Sequence, residues 1–212
     1  MQQLLLNIRP PAAPVLENFV VGRNHELMAH LYAALNADAG ERMLYVWGEP
    51  GSGKTYLLQA WAQACRARGW QVATPPDSAH CIIADQADDW DEAQQLAVFA
   101  AYNRTRESGG VWLAAGRRPP AELALMPELQ TRLGWGLVFQ LAHLNDEEKR
   151  AALAQHARDL GFRLEPQIAE YLLRHCARDM GSLLRVLEAL DRLSLETRRP
   201  ITLALLRQLA PA

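Results

Sequence analysis

Residues 48–55 have the sequence GEPGSGKT, a glycine-rich stretch that ends in a lysine and a threonine. Glycines allow successive backbone N–H groups to curl around phosphate oxygens, and a following helix adds positive potential at its N-terminus. In such a loop Lys54 contacts the β- and γ-phosphates of a nucleotide, and the Thr55 hydroxyl is a ligand of Mg²⁺. We therefore predict a nucleotide site formed by Gly48, Pro50, Gly51, Ser52, Gly53, Lys54, Thr55 and Tyr56.

An aspartate at the end of a second apolar run supplies the carboxylate that such a loop requires. Asp85 follows the sequence HCIIA, where it is placed to hold Mg²⁺ through the water shell of the ion. A vigorous ATPase of this kind has a second carboxylate next, but this chain has Gln86, and an amide accepts no proton from water. Asp88 and Asp89 are the nearest substitutes, although we expect them to begin a helix in solvent. The sequence predicts slow intrinsic hydrolysis.

Alternating apolar runs and helical patterns indicate how these residues are positioned. Short apolar runs predict strands at residues 43–47, 70–74, 80–85 and 111–116, and residues 137–144 could form a fifth. Helical patterns follow the first and third strands, and the sequence PPDS predicts a turn between the second and third. Strands that alternate with helices form a parallel sheet that is covered on both faces. Four further helical patterns follow at residues 145–161, 165–179, 181–196 and 202–209. We predict an α/β domain followed by a small all-helical unit.

Composition restricts the classes of function. The 212 residues carry a formal net charge of -2, which argues against a large sequence-independent electrostatic contact with nucleic acid. The three cysteines, Cys65, Cys81 and Cys176, are far apart and have no zinc-site spacing with histidine, so a reducing cytoplasm is the simplest location. The chain has no basic leader followed by a long apolar stretch, and we expect no association with a membrane.

The order of several motifs resembles that of the DnaA-type AAA+ ATPases. These motifs are ENFVVGRN, GEPGSGKTYLLQA, AAYNRTRESGG, AAGRRPP and LQTRLGWG, and the helical last third is similar to the lid of that family. The resemblance implies a P-loop AAA+ parallel-sheet domain over residues 17–143 and a helical lid over residues 144–212. It also implies a cytoplasmic bacterial protein associated with the nucleoid or replisome.

The resemblance implies roles for two further motifs. The segment Phe19, Val20, Val21 and Gly22 corresponds to the one that lines the adenine pocket, although apolar residues of this kind could instead be core. Arg132 corresponds to the arginine finger, which reaches the nucleotide of a neighbouring subunit and stabilises transition-state charge. The alternative for Arg132 is a surface salt bridge.

The first residues correspond to a motif that binds the DNA polymerase III sliding clamp (its beta subunit). Gln3 would be the polar anchor, Leu4 and Leu6 would fill a hydrophobic pocket on the clamp, and Leu5 lies between them. The alternative is a terminal segment that packs on its own domain. If the segment does bind the clamp, residues 1–16 form a clamp-binding tail and linker. The clamp would then provide an indirect contact with DNA, because no counterpart of the duplex-reading domain of DnaA follows the lid.

The sequence also departs from the family at positions that serve hydrolysis. Ala115 replaces a polar residue on the fourth strand, so that position cannot sense a γ-phosphate. The lid arginine that touches the γ-phosphate aligns with Gly181, and Arg178 and Arg185 are the nearby candidates. Binding groups are thus present while several groups for self-hydrolysis are altered.

These features, with the resemblance, favour a negative regulator of replication initiation. Bound to ADP or ATP with Mg²⁺, it would dock on the DNA-loaded clamp and use Arg132 to stimulate hydrolysis of ATP held by DnaA. The alternatives are a self-sufficient ATPase of the helicase-loader (DnaC-like) type and a nucleotide-stabilised scaffold that only recruits DnaA. The sequence is compatible with a monomer or a homodimer.

Overall fold

A five-stranded parallel β-sheet forms the centre of the computed structural model, which describes residues 14–36, 40–176 and 179–209. Its strands are β1 (Met43–Trp47), β2 (Val72–Ala73), β3 (Cys81–Ala84), β4 (Val111–Gly116) and β5 (Leu137–Gln140). Their order across the sheet is β2-β3-β4-β1-β5, and every neighbouring pair is parallel. The predicted α/β fold with a parallel sheet is confirmed.

The described part of the chain contains eight α-helices. They are α1 (His25–Leu35), α2 (Lys54–Ala67), α3 (Glu92–Glu107), α4 (Pro127–Gly134), α5 (Asp146–Asp159), α6 (Pro166–His175), α7 (Met180–Thr197) and α8 (Leu203–Leu209). Capping boxes formed by Asp91 with Gln94 and by Asn145 with Glu148 fix the starts of α3 and α5. Three short 3-10 helices lie at Leu16–Asn18, Ala87–Asp89 and Pro120–Glu122.

The two faces of the sheet bury separate apolar clusters. Successive side chains of a strand point to opposite faces, so Leu44 and Val46 pack with α1 and α2, whereas Met43 and Tyr45 pack with α3 and α4. Helices α5 to α8 form a third cluster of their own, centred on leucines that include Leu187. The protein therefore consists of a three-layer α/β unit and a helical unit, which is the predicted fold class.

One buried asparagine fixes the chain where it leaves the sheet. The side-chain amide of Asn24 donates to the carbonyl oxygens of Val21 (3.0 Å) and Ala142 (3.2 Å), and its oxygen accepts from the Ala142 N–H (2.8 Å). Asn24 is only 6% exposed, so these bonds satisfy a polar group that would otherwise be costly to bury. The connection from β5 to α5, in which the predicted boundary at residues 143/144 lies, is thereby held against the segment before α1.

The structure differs from the sequence-based prediction in two elements. The strand predicted at residues 70–74 pairs only at Val72 and Ala73, opposite Cys81 and Ile82. The seven residues that connect it to β3 contain no helix, in agreement with the turn predicted there. Helix α4 was not predicted from the sequence, because its eight residues include only two buried leucines, too few for a helical period.

Gly136 provides a test of the packing at the start of β5. A Cβ atom there would lie 1.8 Å from the carbonyl oxygen of Met43, so β5 could not keep its place beside β1. We expect Gly136→Ala to lower the free energy of unfolding by about 3 kcal/mol, as over-packing against backbone does. Urea titration followed by circular dichroism measures this change.

The neighbouring Gly134 is the matched control, since a Cβ atom there would meet nothing within 4 Å. Gly134→Ala at the end of α4 should leave stability unchanged or raise it by roughly 0.5 kcal/mol. Equal destabilisation by both substitutions would contradict the assigned packing.

Candidate functional site

The glycine-rich loop connects the carboxyl end of β1 to the first turn of α2. Gly51 and Gly53 have φ angles of +81° and +98°, a region that side chains strongly disfavour. A Cβ atom on Gly48 would lie 2.7 Å from the carbonyl oxygen of Leu141. These three positions therefore require glycine, and the loop ends at the N-terminus of a 14-residue helix, the arrangement that binds phosphate.

The Lys54 amine lies inside this loop. It donates to the carbonyl oxygens of Gly48 (2.7 Å) and Glu49 (2.9 Å), and its distance to the Ser52 hydroxyl oxygen is 3.4 Å. Burial lowers the pKa of the Lys54 ammonium, and the nearby Asp85 carboxylate opposes this shift. The amine is thus a partly desolvated cation at the point where the loop would hold phosphate groups.

The side chains of Thr55, at the start of α2, and Asp85, directly after β3, form a hydrogen bond. The Thr55 hydroxyl donates to Oδ2 of Asp85 at 2.7 Å, and Oδ1 accepts from the Gln86 N–H at 2.8 Å. A hydroxyl and a carboxylate are oxygen ligands of the kind that Mg²⁺ prefers, so this pair fits the ion. No group of three or more His, Cys, Asp or Glu side chains arranged to hold a metal occurs among the described residues. Phosphate oxygens and water would therefore have to complete the coordination of Mg²⁺.

The residue after Asp85 has an unusual backbone conformation. Gln86 has φ 58° and ψ 44°, in the left-handed region that non-glycine residues enter rarely. The turn that results carries the chain into the 3-10 helix Ala87–Asp89, and the Trp90 indole donates to the carbonyl oxygen of Asp85 at 2.9 Å.

Asp88 is not the solvated start of a helix that the sequence suggested. Its side chain is 3% exposed, and its Oδ1 accepts from Nε of Arg118 at 2.9 Å. Its other oxygen accepts from the backbone N–H of Arg117, whose guanidinium also pairs with Asp89. A carboxylate held by two arginines is a poor proton acceptor, so Asp88 cannot replace the missing second acid; Asp89 is 57% exposed, as expected.

A cavity of about 460 Å³ extends from the loop to the lid. Phe19 and Val20 lie on its wall together with the loop residues from Gly51 to Tyr56. Val21 packs against the core of the α/β unit instead, and Gly22 is not among the lining residues. The predicted base-binding segment is thus divided: half of it lines the cavity, and half secures the segment to the domain.

The lid side of the cavity contains residues that the sequence analysis missed. Gly181, Leu184, Arg185 and Glu188 of α7 all line it, at the spacing of one helical face. This i, i+3, i+4, i+7 spacing was visible in the sequence, but nothing there showed which face of α7 turns toward the loop. On α5, the Nε2 atom of His156 lies 3.3 Å from Oε1 of Glu188.

Two predictions about the lid have different outcomes. Gly181 reaches the cavity and carries no cation, whereas the Arg185 guanidinium lines the cavity and donates to the Ser182 hydroxyl at 2.8 Å. Arg178, the other candidate, lies outside the described residues, as do Gln3, Leu4, Leu5 and Leu6. Ala115 is fully buried in β4 between β1 and β3 and carries no polar group, as expected.

Arg132 lies at the end of α4, away from this cavity. Its Nε donates to the Asn103 side-chain oxygen at 3.0 Å, and the centre of its guanidinium lies 3.8 Å from the centre of the Trp135 ring. Among the described residues Arg132 forms no ion pair with a carboxylate, which excludes the surface salt bridge considered above.

The sheet separates Arg132 from the nucleotide loop of its own chain. Leu137 pairs with Leu44 near the start of β1, whereas the loop follows Trp47 at the other end of that strand. Five residues of strand span about 16 Å at roughly 3.3 Å per residue. The guanidinium and the loop therefore lie at opposite edges of the sheet.

None of the helices in the described ranges is long and apolar enough to cross a membrane.

The Asp88 pairs generate a prediction about pH. Burial alone would raise the pKa of Asp88, but the Arg117 N–H and the Arg118 guanidinium outweigh it and hold the pKa below its usual range. Because the pKa of Asp88 is lower in the folded state, its ionised carboxylate stabilises the fold at pH values above the unfolded pKa of about 3.9. This contribution to the free energy of unfolding is lost as the pH falls below that value and through the folded pKa. We expect Asp88→Asn to cost about 2 kcal/mol of unfolding free energy at pH 7, and less at pH 3.5.

Denaturant titrations of both proteins at the two pH values measure this difference. The exposed neighbour is the control, because Asp89→Asn should change stability by less than about 0.5 kcal/mol. A loss for Asp88→Asn that is equal at both pH values would contradict the assignment.

Comparisons with known proteins agree with this fold. Residues 146–209 match the family model described as Hda, lid domain. Domain III of the Thermotoga maritima replication initiation protein DnaA superposes with a TM-score of 0.73 at 17% identity, covering 95% of this chain and 96% of that one. The described lid helices and the sheet domain thus both have counterparts in proteins of replication initiation.

Two further solved structures extend the comparison. AMPPCP-bound DnaA from Aquifex aeolicus gives a TM-score of 0.68 at 19% identity over 91% of this chain and 71% of that one. A replication initiator DnaA bound to AMPPCP and single-stranded DNA gives 0.70 at 19% identity, over 91% and 70%. The chain therefore has the fold of the DnaA nucleotide-binding domain, an α/β unit with a phosphate loop, and its helical unit matches the Hda lid domain over residues 146–209.

Proposed function

We propose that this protein is a regulator of DNA replication initiation that stimulates hydrolysis of ATP held by a DnaA subunit. The observation that carries the proposal is the position of Arg132 at the edge of the sheet opposite its own phosphate loop. A guanidinium separated from the local loop by the length of β1 cannot serve a nucleotide bound there. It is partly exposed at that edge, where it could contact the nucleotide of another molecule and stabilise the transition-state charge there.

A nucleotide in the chain's own cavity would have a different role. The loop, the Lys54 amine and the Thr55–Asp85 pair supply binding groups for ADP or ATP with Mg²⁺, and the similar DnaA structures hold AMPPCP. The groups for hydrolysis are weak, because Gln86 accepts no proton and Asp88 is bound by Arg117 and Arg118. We propose that bound nucleotide mainly stabilises the folded chain, as a ligand of the native state alone does.

The nucleotide also contacts both units of the protein in this proposal. The cavity is lined by Phe19 and by loop residues on one side and by α7 residues such as Leu184 on the other. A ligand that fills it would fix the lid relative to the sheet. Arg132 belongs to the sheet unit. Nucleotide in the cavity would therefore support the action of Arg132 indirectly, by stabilising the unit that carries it, without touching the arginine.

Contact with DNA is proposed to be indirect. The net charge of -2 provides little electrostatic attraction for a phosphate backbone. The segment from Gln3 to Leu6 would dock on the sliding clamp, through a polar anchor and alternate leucines, and the clamp would carry the DNA. Action at the clamp would place the protein where replication has already begun, and hydrolysis on DnaA would then prevent another initiation.

The first experiment tests the role of Arg132. With DNA-loaded clamp and ATP-bound DnaA present, Arg132→Ala should lower stimulated hydrolysis by about a thousandfold, because an arginine finger contributes on this order. Arg132→Lys should restore little, since an ammonium lacks the planar fork of donors. Release of ³²P-phosphate from DnaA measures the rate.

Two controls accompany that measurement. Arg104→Ala removes an exposed arginine whose guanidinium instead bonds to Ser78 and Pro76, and it should stimulate as the wild type does. Replacing both Gln3 and Leu4 with alanine should remove the dependence on clamp while leaving nucleotide binding intact. Full stimulation by Arg132→Ala would refute the catalytic role and favour the scaffold alternative.

The second experiment separates a regulator from a self-sufficient ATPase. Lys54→Ala should weaken binding of ADP and ATP at least tenfold, because it removes the cation at the phosphate end of the loop. The wild-type protein alone should show very slow turnover of ATP. Calorimetry and a steady-state phosphate assay measure the two quantities, and rapid turnover that Lys54→Ala abolishes would favour the helicase-loader alternative.

A further inference from the structure

Trp135 is a large aromatic residue that the fold leaves 52% exposed, directly after α4. The helix is anchored without it, because Leu129 and Leu133 are buried in the cluster beneath the sheet. A half-exposed tryptophan that the core does not require indicates a role at the surface. Its main neighbours there are two arginines, Arg132 and Arg106.

We infer that Trp135 is a positioning residue for Arg132, and that its ring holds the guanidinium flat so that its N–H edges face an incoming partner nucleotide. The inference rests on the proposed function, in which Arg132 acts on ATP held by another subunit. It assigns to this chain a second residue, beyond the arginine itself, on which the stimulated rate depends.

The contact distances support this assignment. The centre of the Arg132 guanidinium lies 3.8 Å from the Trp135 ring centroid, the stacking distance of a close cation–π pair, and 5.8 Å from that of Phe99. The Asn103 oxygen accepts from Nε at 3.0 Å. One ring contact and one hydrogen bond together restrict the movement of the guanidinium.

This arrangement leaves the two terminal nitrogens of Arg132 available as hydrogen-bond donors. A guanidinium is planar, and its N–H groups point outward in the plane, so stacking occupies its faces and not its donors. Asn103 accepts only from Nε, and within the described residues no hydrogen-bond acceptor is found for the two terminal nitrogens of Arg132. Those nitrogens form the fork that binds phosphate oxygens in a bidentate manner.

The surroundings keep the charge of Arg132 available. The α3 residues that face it are Phe99, Tyr102, Asn103 and Arg106. Burial raises the pKa of the Tyr102 phenol, so this side chain stays neutral at physiological pH. Among the described residues no carboxylate forms an ion pair with Arg132, so its guanidinium is available to a phosphate while the aromatic face holds it.

Arg106 is the natural control for this inference. Its guanidinium centre also lies over the Trp135 ring, but at 4.9 Å, and no hydrogen bond of Arg106 to Asn103 accompanies that contact. Its contact with the Trp135 ring is longer than that of Arg132. Removing it takes away a neighbouring cation and leaves the stack of Arg132 on Trp135 in place.

The test uses the full-length protein with DNA-loaded clamp and ATP-bound DnaA, titrating the protein to obtain the maximal rate and the half-saturating concentration. Trp135→Leu should lower the maximal rate about tenfold and change the half-saturating concentration by less than about twofold. Trp135→Phe, which keeps an aromatic face, should recover the rate to within about threefold of wild type. Arg106→Ala should match the wild type.

A second measurement requires no partner. In ¹⁵N-edited spectra the Nε–H signal of Arg132, identified by its loss in Arg132→Ala, should be shifted upfield by the indole ring in the wild type. Trp135→Leu should remove that shift, and Arg106→Ala should retain it. Thermal melting of each variant shows whether it folds, and half-exposed Trp135 should tolerate replacement.

The outcomes distinguish this inference from the proposed function. If Arg132→Ala loses stimulation while Trp135→Leu keeps the full maximal rate, the positioning role is refuted and the arginine finger stands. A change in half-saturating concentration alone would make Trp135 a docking contact and also refute the inference. If Arg132→Ala stimulates fully, the proposed function fails and the inference fails with it.

Discussion

The parallel pairing of β1 with both β4 and β5 is the constraint on which the rest of the structure depends. Val46 lies opposite Ala115 on one side and Phe139 on the other. In parallel strands all carboxyl ends meet at one edge of the sheet, and the phosphate loop and Asp85 both follow at that edge. The same pairing places the start of β5, and with it α4 and Arg132, at the opposite edge.

This separation places two distinct clusters of charged groups at opposite edges of one small domain. At the loop edge the polar side chains are bonded to neighbours within the site. Lys54 donates to carbonyl oxygens of the loop, Thr55 donates to Asp85, and Asp88 pairs with two arginines. At the other edge Arg132 is held by an amide and an aromatic ring and remains without a carboxylate partner among the described residues. One edge suits retention of a ligand, and the other suits action on a partner.

The region around Asp85 keeps groups that can bind phosphate and Mg²⁺ but offers no second free carboxylate beside them. Gln86 stands where a second acid would deprotonate water, and its left-handed backbone carries the chain into the turn that buries Asp88. Asp88 therefore has a structural role, because its carboxylate forms ion pairs with Arg117 and Arg118. Binding groups that depend on backbone N–H donors and on Lys54 are unaffected by these changes.

The sequence by itself determined the fold class, the phosphate loop and the Asp85 partner, because glycine spacing and apolar runs are local signals that each element carries within itself. It missed α4, whose two leucines are meaningful only against the sheet, and it misjudged Asp88, whose partners lie some 30 residues away. It could not show that Val21 is core while Val20 lines the cavity. Only the tertiary structure decided these points, and the stacking of Arg132 on Trp135, because contacts across elements depend on how helices pack on the sheet and not on any spacing along the chain.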